Sequence, residues 1–145
     1  MALVAKRILE VQNIRVKYGA IEALKEISFY VDQGEIISLI GANGAGKSTT
    51  LKTLSGLLTP VSGHIFFQGE SIVGRKAHDI VRLGLIHAPE GRGIFANLTV
   101  LENLEIGAFT RTNKKEIAED LDHVFGLFPR LKERVKQNAG NLSGG

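Results

Sequence analysis

Eight residues, Gly41-Ala42-Asn43-Gly44-Ala45-Gly46-Lys47-Ser48, fit the pattern G-x-x-x-x-G-K-[ST]. Their types and spacing suit the holding of a nucleotide's phosphates. Backbone N–H groups must converge on phosphate oxygens, so glycines are needed for close approach and unusual φ, and a following helix turns its positive end toward the anion. Lys47 then reaches the β- and γ-phosphates, and the Ser48 hydroxyl binds the Mg²⁺ that bridges them. The competing reading is a glycine-rich turn that matches by chance; the strand pattern before the loop and the helix pattern after it argue against that.

Other side chains carry weaker signals. Tyr18, followed by Gly19 at the end of an early strand, either packs as strand aromatics do or stacks on a base. Glu90 lies in "HAPEGRGIF", residues 87 to 95, after a predicted parallel strand, and ligands gather at the carboxyl ends of such strands. It is either a solvated loop carboxylate or a group facing Mg²⁺ or water beside the γ-phosphate. His64, His78, His87 and His123 show no metal-ligand spacing, and no chemistry is assigned to them. A P-loop hydrolase also needs a carboxylate on a second buried strand. The one apolar run ending in Asp, "FYVD" to Asp32, precedes the loop and reads as a turn.

The elements that must position the loop follow from periodicity. Leu9 and Val11, then Ile14, Val16 and Tyr18, and then Ile27, Phe29 and Val31 alternate with polar residues, predicting half-buried antiparallel strands. "EIISLI", residues 35 to 40, is apolar on both faces, as in a parallel strand covered on both sides. Leu51, Leu54 and Leu58 then fall at helical spacing. "HIFFQG" predicts a short strand closed by Gly69, residues 76 to 83 a short helix, and "LGLIHAP" another strand. Thr99 with Glu102 forms a capping-box pattern opening a helix to about Phe109, and a second helix runs from Lys114 to Phe128, ended with the help of Pro129.

Composition narrows the class. With 43% hydrophobic and 23% charged residues the chain is that of a globular protein. Eighteen basic against 15 acidic residues leave +3, spread without a run that would track a phosphate backbone, so nucleic acid is not indicated as a partner. The chain has no cysteine, which fits a reducing, cytoplasmic setting. No stretch approaches the ~18 apolar residues of a membrane span, so any membrane role is expected to come through a partner.

The phosphate loop and the final "LSGG" together resemble the ATP-binding subunit of an ATP-binding-cassette transporter, over the whole chain. The resemblance implies an α/β P-loop NTPase cassette: an antiparallel β subdomain, an incomplete parallel α/β core and a helical subdomain. The β subdomain and P-loop core would cover about 1–90, and the helical subdomain about 91–145. It implies ATP and Mg²⁺ as cofactors, held by Gly41 to Ser48 and Thr49, with Tyr18 stacked on adenine. It also implies that Leu142, Ser143, Gly144 and Gly145 are a signature loop completing the nucleotide site of an opposing subunit. "GANGAGKSTTLKTLSGLL" and "PEGRGIFANLTVLENLEIGA" are similar to importers of branched-chain, or more broadly hydrophobic, amino acids. Most cassettes carry Gln at the place of Glu90; Pro-Glu-Gly-Arg looks like that subgroup's version and makes Glu90 a candidate γ-phosphate or Mg²⁺ sensor.

The implied partners are a second ATP-binding subunit, transmembrane permease subunits that seat a cytoplasmic helix near Phe95 and "LTVLENL", and, indirectly, an extracytoplasmic binding protein. The implied location is cytoplasmic, peripheral on the inner face of the membrane. In this family the signature is followed by a helix, the Mg²⁺-site aspartate, the catalytic glutamate and the switch histidine. The chain is therefore expected to be an N-terminal piece that hydrolyses ATP negligibly alone and is poorly stable or self-associating. Three rivals stand beside this reading. A switch GTPase lacks its Asn-Lys-x-Asp, because "NKKE" carries Glu116. A cassette of another transporter, or a soluble one, and a binding fragment without catalysis are the others.

Overall fold

The computed structural model describes residues 6–91 and 93–143, which divide into two compact units, one up to His87 and one from Ala88.

In the first unit β1 (Arg7–Tyr18) and β2 (Ile21–Asp32) form an antiparallel hairpin, joined by β3 (Ser62–Phe67) and β4 (Glu70–Ser71) in the order β2-β1-β3-β4. Strict alternation along β1 would put Ile14 on the face opposite Leu9 and Val11. A register irregularity after Val11 resets the phase, so Leu9, Val11, Ile14 and Val16 are all buried. Asn13 at the irregularity has φ 49, and its N–H donates to Ser28 Oγ at 2.8 Å while Ser28 Oγ donates back to Asn13 Oδ1 at 2.9 Å. A Cβ on the neighbouring Gly63 would stand 2.5 Å from the Asn13 carbonyl, so only glycine fits against the bulge. The buried face also collects Leu24, Ile65, Phe67 and Ile72, and is covered by Leu54 of α1 (Lys47–Leu54) and Ile80 of α2 (Ala77–Arg82). This core holds the helix that follows the phosphate loop.

Three expectations for this unit need correction. Residues 35–40 belong to no sheet: Ile36 is 98% and Ile40 91% exposed. Residues 83–89 likewise form no strand, and Ile86 is exposed. A strand exists only where a neighbour takes its N–H and C=O groups; among the described residues every pairing is antiparallel, and none involves these two segments. Leu51 is exposed while Thr50, Thr53 and Leu54 form the buried side of α1, and Leu58 lies beyond the helix end.

The second unit holds α3 (Val100–Gly107), α4 (Lys114–Leu127) and α5 (Pro129–Glu133). Thr99 caps α3 as its spacing predicts: its hydroxyl accepts from the Glu102 N–H at 3.2 Å, and Glu102 Oε2 accepts from the Thr99 N–H at 2.7 Å. Asn113 caps α4 through Oδ1, which accepts from Lys115 N–H. Phe128 leaves the helical backbone ahead of the proline (φ −127, ψ 72), ending α4, and Pro129 then opens α5 at its first position. The returning chain closes the unit, with Val100 N–H donating to the Gln137 carbonyl at 3.0 Å and Ala139 N–H to the Leu98 carbonyl at 2.9 Å.

Candidate functional site

The phosphate loop leads into α1 through Gly46, whose φ of 90 is left-handed, as is Gly44 at φ 87. A Cβ on Gly46 would meet Leu24 Cδ2 at 2.4 Å and the Ala23 carbonyl at 3.1 Å, so the loop rests against β2 without space for a side chain. The Gly46 carbonyl accepts from both the N–H and the hydroxyl of Thr50, at 2.8 and 3.0 Å, which locks the first turn of the helix. Lys47 Nζ donates to the carbonyls of Gly41 at 2.7 Å and Ala42 at 2.8 Å, folding the ammonium over the loop. No acidic side chain stands in the first turn of α1, so the positive helix end and Lys47 give this end of the helix one sign of charge. The loop glycines, the helix end and the lysine fit a nucleotide's phosphates. Ser48 is exposed on that first turn, where its hydroxyl would hold Mg²⁺. Among the described residues no three His, Cys, Asp or Glu side chains gather into a metal site.

Tyr18 is brought to the same helix. Its Oη stands 3.5 Å from Thr49 Oγ1, and the residue is 45% exposed. The hairpin end thus places an aromatic ring beside the loop, an arrangement the sequence leaves open. Also unread in the sequence is Ser55, buried at the far end of α1, whose Oγ meets His87 Nδ1 at 3.2 Å.

In the second unit Glu90 is exposed in the turn before Gly91. Leu142 follows a 3₁₀ turn at Ala139–Asn141, and its N–H donates to the Ala139 carbonyl at 3.1 Å; Ser143 beside it is exposed. Gly144 and Gly145, the rest of the proposed signature, lie outside the described residues. Leu142 also lines an apolar groove of about 360 Å³ with Phe95, Val100, Leu104, Ile106 and Leu131. Asn103 fixes one wall of it, its side chain donating to the Phe95 carbonyl at 3.0 Å and accepting from the Phe95 N–H at 2.8 Å.

A glycine loop running into a helix packed on a sheet defines a P-loop α/β protein. The chain belongs to the ABC transporter family, which it matches over residues 24–145. It is 48% identical over 94% of its length to the high-affinity branched-chain amino acid transport ATP-binding protein BraG of Pseudomonas aeruginosa, covering 58% of that protein. It is 36% identical, with the same coverages of 94% and 58%, to the probable branched-chain amino acid transport ATP-binding protein LivF of Archaeoglobus fulgidus. Among solved structures it is similar to an ATP-binding subunit of an ABC transporter, with TM-score 0.83 and 32% identity over 94% of this chain and 56% of that one. A nucleotide-free ATP-binding cassette from an ABC transporter gives TM-score 0.79 and 27% identity, over 95% of this chain and 60% of that one. The fold is that of the ABC ATPase cassette, and the chain spans 58% of the length of those two curated relatives. Among the described residues no helix is long and apolar enough to cross a membrane.

Proposed function

We propose that these 145 residues serve in an ATP-binding subunit that powers an importer of branched-chain amino acids. The observation that carries the reading is the loop Gly41–Ser48 at the start of α1, with Lys47 Nζ folded onto the loop's own carbonyls. The two relatives named for branched-chain amino acid transport supply the substrate class. The two compact units are then parts of one nucleotide-binding domain, the first carrying the phosphate loop and the second a helical subdomain with the signature.

Bound ATP supplies a phosphoanhydride whose hydrolysis drives the transport cycle. The chain's own residues bind and orient it. Gly41 to Ser48, with Thr49, would hold the phosphates at the helix end, chiefly through loop N–H groups. Lys47 exchanges the Gly41 and Ala42 carbonyls for the more strongly charged phosphates. Ser48 and Glu90 are assigned to Mg²⁺, with Glu90 near the γ-phosphate, and Tyr18 stacks on adenine. Leu142, Ser143, Gly144 and Gly145 act on the nucleotide of a second cassette, and the groove at Phe95 receives a permease subunit. An extracytoplasmic binding protein supplies the amino acid, and the subunit sits on the cytoplasmic face of the membrane.

The experiment is uptake into proteoliposomes holding the assembled transporter, with ATP enclosed and leucine presented on its binding protein. Leucine accumulation that needs ATP and is lost in Lys47→Ala supports the reading. Equal accumulation without ATP, or assembly only with a permease for another solute, contradicts it.

A further inference from the structure

The segment 83–87 opens with a turn at Leu83 and Gly84 and forms no sheet, yet it is held. Leu83 and Leu85 pack on the core, while Ile86 between the inward positions is exposed. His87 is the next inward position, half-buried where the preceding two are apolar. It meets Ser55 Oγ at 3.2 Å. Ser55 is 8% exposed and ends α1, the helix whose other end carries Lys47. Its hydroxyl also lies 3.1 Å from the Lys52 carbonyl, which already accepts from the N–H groups of Leu57 and Leu58 at 2.9 and 3.2 Å. A hydroxyl donates one hydrogen and accepts as well, so it is able to serve the Nδ1 of either imidazole tautomer.

From this we infer that Ser55 and His87 form a positioning pair, which ties the segment leading to Pro89 and Glu90 to the far end of the phosphate-loop helix. An eight-residue helix moves as one rod. A displacement at its phosphate end is therefore carried to Ser55, across the hydrogen bond to His87, and three residues along the chain to Glu90. Neither residue touches nucleotide; both act through what they hold. The coupling to ATP rests on the function proposed above, whereas the holding of the segment does not.

The test is hydrogen exchange of the amides of Leu83, Gly84 and Leu85, which donate to the carbonyls of Asp79, Val81 and Ile80, in the whole chain and in Ser55→Ala, Ser55→Thr and His87→Phe, each with and without Mg–ATP. Without nucleotide, Ser55→Ala and His87→Phe are expected to exchange about five-fold faster in this segment, the effect of one ordinary hydrogen bond. Residues 50–54 are expected to be unchanged, and Ser55→Thr, which keeps the hydroxyl, to behave as the wild type. With Mg–ATP, the wild type and Ser55→Thr gain protection at residues 83–85 that the other two lack. Equal exchange in all four proteins overturns the pair, as does a loss in Ser55→Thr equal to that in Ser55→Ala, or faster exchange throughout the unit in every variant. A wild type that shows the nucleotide-free difference but no response to Mg–ATP keeps the pair and overturns the coupling. If that protein also fails to bind ATP, the proposed function fails with it.

Discussion

Tyr18 Oη and Thr49 Oγ1 stand 3.5 Å apart, joining the end of β1 to the first turn of α1 across 31 residues of chain. The contact sets the ring beside the phosphate loop while leaving 45% of the residue exposed for a further partner. If that partner is adenine, the ring face matters more than the hydroxyl. Tyr18→Ala is expected to weaken binding of a fluorescent ATP analogue roughly tenfold, within the range of base–aromatic stacking. Tyr18→Phe should stay near the wild type. Equal losses in both variants would assign the effect to the Thr49 contact instead.

Gly46 carries a steric demand that can be read as stability. Alanine there must adopt φ 90 and place its Cβ 2.4 Å from Leu24 Cδ2. Gly46→Ala is therefore expected to cost about 1–3 kcal/mol, seen as a lower urea midpoint with unchanged slope. An unchanged midpoint would mean that the loop does not rest on β2.

Ile14 is fully buried in the β1 face. Truncation to valine should cost about 0.5–1.5 kcal/mol and to alanine about 2–5 kcal/mol. Denaturant melts of the two variants check the order. A cost for alanine no larger than that for valine would contradict the described core.

The cap of α3 predicts a pH dependence. The backbone N–H of Thr99, and then its hydroxyl, hold the Glu102 carboxyl below its ordinary value of 4.5. A carboxyl depressed in the folded state stabilises above its unfolded pKa, and the contribution is lost as pH falls through the folded value. Glu102→Gln, which removes the charge that both Thr99 groups favour, should lower stability at neutral pH, and the gap to the wild type should narrow as pH falls below 4.5. A gap constant down to pH ~3 would show that Glu102 takes no part.

Features that depend on a few neighbouring residues were readable in the sequence. The glycine loop with its helix, the Thr99–Glu102 box, the antiparallel strands through residues 9–18 and 27–31 and the strand at Ile65 and Phe67 all rest on local spacing. The segments 35–40 and 83–89 were not, because apolar β-prone residues form a strand only beside a partner, and among the described residues none pairs with them. The buried side of α1 was not legible either, because Thr50 and Thr53 bury hydroxyls that bond to carbonyls one turn back, at 3.0 and 2.7 Å, which allows polar residues inside. Tyr18 beside Thr49 and Ser55 beside His87 are contacts across 31 and 32 residues, beyond any local pattern.

The central claim is that the Gly41–Ser48 loop holds nucleotide phosphates with Lys47 as the charged arm. The most direct measurement is the Kd of a fluorescent ATP analogue with Mg²⁺ for the wild type and Lys47→Ala, with circular dichroism to show that both are folded. Saturable binding by the wild type, weakened ten-fold or more by the substitution, about the worth of a hydrogen bond to a charged group, is the predicted result. Equal affinity in the two folded proteins, or no saturable binding by the wild type, would contradict the account.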